Sequence, residues 1–129
     1  MRLLTATAVL AVSCHAAPID ADRMLLAISQ IEGGRYGHLG GPCCLSETVW
    51  RQHSHLSYDL SRTPFFCIQV EHQHLAWIIE SLQRAGIAVA PDTVYAAWRL
   101  GLTGAVRRIR AGSMPEACQR AMNLYYELR

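Results

Sequence analysis

Apolar residues recur at three- and four-residue spacing along most of the chain, and no stretch alternates apolar with polar over strand length. That pattern predicts six helices. The first runs through "RMLLAISQIE", capped by Asp20 or Asp22, with Leu25, Ile28 and Ile31 on one face. Ser46 caps a short second helix that carries Val49 and Trp50. The longest lies in "TPFFCIQVEHQHLAWIIESLQRAG", with Thr63 at the cap, Pro64 in the first turn and Gly86 just past the end. Its apolar stripe is Cys67, Val70, Leu75, Ile78 and Leu82. "APDTVYAAWRLG" opens on Pro91 and closes on Gly101, and "TGAVRRIRAG" makes a short helix ending at Gly112. "SMPE" offers Ser113 and Glu116 as a capping box for a last helix through "ACQRAMNLYYEL". The expected fold class is all-α, with little or no sheet.

At 129 residues, about half of them apolar, the chain builds one core and is not disordered. A net charge of +2 gives no reason to expect nucleic acid as a partner. At the N-terminus Arg2 precedes an apolar run from Leu3 to Val12, too short to span a bilayer as a helix, and small residues follow. The expectation is an export signal over residues 1–16, leaving residues 17–129 as the folded domain. "AVSC" allows a second reading, a lipoprotein signal ending before Cys14, and a retained anchor is a third. Membrane contact is expected only through this segment or a lipid on Cys14.

Export changes how the remaining cysteines are read. Cys43, Cys44, Cys67 and Cys118 suggest two disulfides, and four cysteines allow three connectivities. A bond between neighbours is strained, so Cys43 and Cys44 are expected to reach Cys67 and Cys118 separately; buried thiols are the alternative. The paired C-x-x-C spacing of a zinc site is missing. His72 and His74 are two apart on a helix and do not share a face, and His53 and His55 read as a solvated loop. Neither a metal nor a cofactor is expected. Cys44 with His53 as a thiol nucleophile and its base conflicts with the disulfide reading.

The chemistry concentrates in "QIEGGRYGHLGGPCCLSETVW", where a helix ends on Glu32 and a glycine-rich loop follows. With "AAWRLGLTGAV" further on, this order of motifs resembles the lysozyme-like superfamily, specifically the small bacterial lytic-transglycosylase-like proteins. The resemblance covers roughly Ala21 to Tyr126. It implies a single-domain lysozyme-like helical fold, with Glu32 of "IEGG" in place of the family's catalytic glutamate. It also implies that Tyr36, Cys44, Trp98, Arg99 and Gly101 line the substrate cleft. The implied activity is cleavage of peptidoglycan between N-acetylmuramic acid and N-acetylglucosamine, by a monomer that is periplasmic, secreted or carried on the outer surface.

A glycosidic bond needs a general acid for its leaving oxygen. Partial burial favours the protonated form of a carboxyl group, and glycines beside it let a bulky polysaccharide approach the backbone. In lytic transglycosylases the sugar's own 6-hydroxyl attacks, so one glutamate serves as acid and then as base. Two departures favour a different outcome. "CCL" (Cys43 to Leu45) stands where relatives carry Tyr-Gln-Ile, and a thiol cannot replace an amide's paired donor and acceptor. Arg99 stands where the family prefers asparagine; it either binds a substrate carbonyl or carboxylate, or neutralises Glu32. The alternative function is therefore a catalytically impaired domain that binds wall glycan or a protein partner. Trp50 and Trp77 are expected in the core, and Trp98 in the cleft. Arg107 to Arg110 read as a solvated face, or one that meets anionic polymers or lipid headgroups.

Overall fold

The computed structural model describes residues 17–33 and 45–128. The export signal expected over residues 1–16 lies outside that range, as do Cys14, Tyr36, Cys43 and Cys44. Among the described residues the chain is all-α: α1 (Ala21–Glu32), α2 (Glu47–His53), a 3-10 turn (Tyr58–Arg62), α3 (Pro64–Arg84), α4 (Pro91–Leu100), α5 (Leu102–Arg110) and α6 (Glu116–Glu127), with no strand. The six predicted helices are present, and only the 3-10 turn was not foreseen.

Local chemistry sets the boundaries. Asp20 caps α1, its carboxylate accepting from the Arg23 amide at 3.0 Å. The Asp20 amide donates to the Tyr125 hydroxyl at 2.9 Å, which ties the start of α1 to α6. Ser46 caps α2 through the Val49 amide. Thr63 makes no side-chain cap bond, so Pro64 in the first turn is the remaining start signal for α3. The expected capping box of Ser113 with Glu116 does not form: α6 begins after Pro115, and Ser113 instead accepts from Arg108 through both its carbonyl and its hydroxyl. Gly101 joins α4 to α5 at φ 76 and ψ 160, a backbone region open essentially to glycine alone.

Two apolar clusters hold these helices together. The larger joins Met24, Ala27 and Ile28 of α1 to Leu75, Ile78 and Leu82 of α3 and to Ala121 and Tyr125 of α6. At its centre α4 contributes Val94, Tyr95, Ala96 and Ala97, all buried, and the alanines let α3, α5 and α6 pack closely around it. The smaller cluster is Leu45, Trp50, Cys67 and Val70. Its loop is pinned by the Trp50 indole donating to the Leu56 carbonyl and the Tyr58 hydroxyl donating to the Leu45 carbonyl, both at 2.8 Å. Trp98 packs against both clusters.

The disulfide expectation needs correction. Cys118 is a buried free thiol set in the large cluster, and burial pushes its pKa up. The Cys67 thiol sits in the small cluster and donates to the Glu71 carboxylate at 2.9 Å. Among the described residues there is no disulfide. Trp77 also departs from expectation, being more than one-third exposed rather than core.

Candidate active site

The first residue of the site is set by the end of α1. Met24, Ala27 and Ile28 dock the helix, and that packing carries Glu32 inward until only 5% of it is exposed. Gly33 follows without a side chain, and a Cβ there would stand 2.4 Å from the Ser29 carbonyl oxygen. The turn that presents Glu32 therefore needs glycine at that step.

The partners of Glu32 come from α4. Tyr95 and Arg99 are four residues apart and so share one helix face. The Tyr95 hydroxyl donates to Glu32 Oε1 at 2.5 Å, across 63 residues of chain. Arg99 Nη1 donates to that same hydroxyl oxygen at 3.2 Å and lies 3.8 Å from Glu32 Oε1. The three side chains form a directed series, guanidinium to hydroxyl to carboxylate. A hydroxyl has one hydrogen to give and lone pairs to accept with, so Tyr95 meets both demands at once.

Burial, then the bond to Glu32, pushes the Tyr95 hydroxyl pKa up to about 12. Tyr95 therefore remains a donor over the whole working range of pH. Arg99 is likewise pushed up, first by its bond to Tyr95 and, further down, by the charge of Glu32. The arrangement fixes the orientation of one carboxyl group and sets a permanent cation beside it.

Trp98 stands between Ala97 and Arg99 on α4, partly buried, with its ring edge-on to His74 at 4.9 Å. His74 of α3 is buried, stacks on Trp77 at 5.7 Å, and shares a 2.8 Å hydrogen bond with His53. Burial, and secondarily His53, pushes the His74 pKa down to about 4; burial also lowers that of His53. His53 is thus a partner in a packed aromatic cluster that braces Trp98, not the solvated loop residue its sequence context suggests. His72 points elsewhere, to Asp22 at 3.1 Å. Among the described residues no group of three or more His, Cys, Asp and Glu could hold a metal ion, and no helix is long and apolar enough to cross a membrane.

Of the residues expected in the cleft, Glu32 and Arg99 meet directly, Trp98 adjoins them on α4, and Gly101 ends that helix. Tyr36 and Cys44 fall outside the described residues. Tyr95 is the residue of the candidate site that the sequence reading missed, and its spacing of four from Arg99 was the available signal. Of the basic residues of α5, all of them exposed, two hold structure: Arg110 donates to the Ala85 carbonyl and Arg108 to Ser113. The chain matches no protein-family model, no curated protein and no solved structure.

Proposed function

We propose that this chain cleaves wall glycan in the manner of a lytic transglycosylase, cutting between N-acetylmuramic acid and N-acetylglucosamine with Glu32 as acid and then base. The observation that carries this reading is a single carboxyl group, 5% exposed at the end of α1, held in one orientation by the Tyr95 hydroxyl. Glu32 gives its proton to the glycosidic oxygen as the bond from muramyl C1 to that oxygen breaks. The muramyl 6-hydroxyl bonds to C1, and its proton returns to Glu32. The products are a 1,6-anhydro sugar and a free 4-hydroxyl, with the enzyme restored. No second carboxylate is needed, in contrast to the paired carboxylates of most glycosidases. Tyr95 keeps its own proton throughout, so it orients the carboxyl group without competing in the transfer.

A second reading, a glycan-binding module without turnover, is favoured by one observation: Arg99 lies 3.8 Å from Glu32 and interacts best with the ionised carboxylate. Zymography on purified wall, with the wild type and Glu32→Gln, separates the two. The enzyme reading expects clearing by the wild type and a loss of about 10²–10⁴ in rate for the variant, with glycan binding retained. Binding with no clearing by either protein would establish the module. Full clearing by Glu32→Gln would remove Glu32 from the chemistry.

A further inference from the structure

We propose that Arg99 forms a carboxylate-binding subsite beside Glu32, restricting the substrate to wall glycans that carry a free carboxylate near the cleaved bond. The inference rests on the glycan-cleaving reading for the identity of its ligand. It rests on the geometry of Arg99 for its chemistry.

Arg99 differs from the arginines whose guanidinium groups are already engaged at the surface. Arg51 and Arg84 pair with Glu47 and Glu80 one turn away on their own helices. Arg108 and Arg110 hold a turn and a helix end. Among the described residues Arg99 is held at one corner, by Nη1 on the Tyr95 hydroxyl. Among the described residues Nε and Nη2 make no hydrogen bond, and about one-third of the side chain is exposed. Glu32 at 3.8 Å is beyond hydrogen-bond reach and leaves that fork unfilled. The anchor is rigid, because Tyr95 is fully buried and already committed to Glu32. The result is a planar pair of N–H donors with a permanent charge, fixed next to the proposed acid, with the indole of Trp98 alongside. Two parallel N–H donors on a guanidinium match a carboxylate better than they match a neutral amide or hydroxyl.

Wall glycan offers two carboxylate sources of the same chemistry, the lactyl acid of muramic acid and the acids of its stem peptide. Calorimetric titration of the full chain as Glu32→Gln, which blocks turnover, distinguishes them. The probes are a muramyl oligosaccharide with free lactyl acid, the same compound as its methyl amide, a peptide-bearing oligosaccharide, and that compound with its peptide acids amidated. Neutralising the engaged carboxylate should weaken binding about ten- to hundredfold, the usual size of a charged hydrogen bond. The pair of probes showing the loss identifies the source. Adding Arg99→Gln should abolish the difference, while Arg99→Lys should keep part of it and confirms that the fold tolerates change there.

Equal binding of acid and amide in both pairs, or a preference that survives Arg99→Gln, overturns the proposal, as does failure to bind any probe. A carboxylate preference that disappears with Arg99→Gln supports it even if wild type clears no wall. In that case the subsite stands and the cleavage reading falls.

Discussion

Replacing Tyr95 with phenylalanine tests the site without making a cavity, since the ring and its packing are kept. Two hydrogen bonds are lost, the 2.5 Å donation to Glu32 and the 3.2 Å acceptance from Arg99. A hydrogen bond to a charged group contributes about 1.5–3 kcal/mol, so Tyr95→Phe should lower unfolding free energy by about 2 kcal/mol near neutral pH. The alkaline range provides the sharper assay. The hydroxyl titrates near 10 in the unfolded chain and near 12 in the folded one. Between those values the unfolded state has released a proton that the native state still holds, so stability falls as pH rises. Two pH units correspond to roughly 3 kcal/mol, present in full below pH 10 and lost by pH 12. Urea unfolding of both proteins from pH 8 to 11.5 should show a wild-type advantage that shrinks steadily. Every other group is common to both proteins and cancels in the difference. Parallel curves would refute the claim that the Tyr95 proton is held by the fold.

The His74 ring offers a matching test in acid. Its pKa is lowered from 6.5 to about 4, so the unfolded chain binds the extra proton first and stability should fall by about 3 kcal/mol between those values. His74→Phe should flatten that slope in the same urea series; an unchanged slope would place the acid sensitivity elsewhere. For Cys118, alkylation without reductant should fail on the native protein and succeed in denaturant, as read by mass spectrometry. A residue still blocked in denaturant would restore the disulfide expectation.

The sequence made the helices legible because each depends on neighbours within one or two turns. The stripe from Cys67 to Leu82 buries as its spacing requires, and Asp20, Ser46 and Pro64 mark helix starts from local chemistry. Glu32 was legible for the same reason, standing at a helix end before glycine. Tyr95 was not, because among alanines it reads as core, and its hydroxyl partner lies 63 residues away. His53 and His74 escaped for a similar reason, since nothing local says that the end of α2 meets the middle of α3. The Ser113 box failed through competition: Arg108 already claims the hydroxyl that would have capped α6. Trp77 faced outward because, among the described residues, no element covers that side of α3 enough to bury it.

The tie between Asp20 and Tyr125 bears on timing. It closes a span of 105 residues, and α6, which supplies no chemical group to the site, packs on both α1 and α4. Glu32 and its partners Tyr95 and Arg99 sit on those two helices, so α6 is the splint that sets them against each other. A nascent or partly unfolded chain holds every residue of the series from Arg99 through Tyr95 to Glu32 and none of its geometry. Whatever the site does, it does only after the two ends of the domain have met.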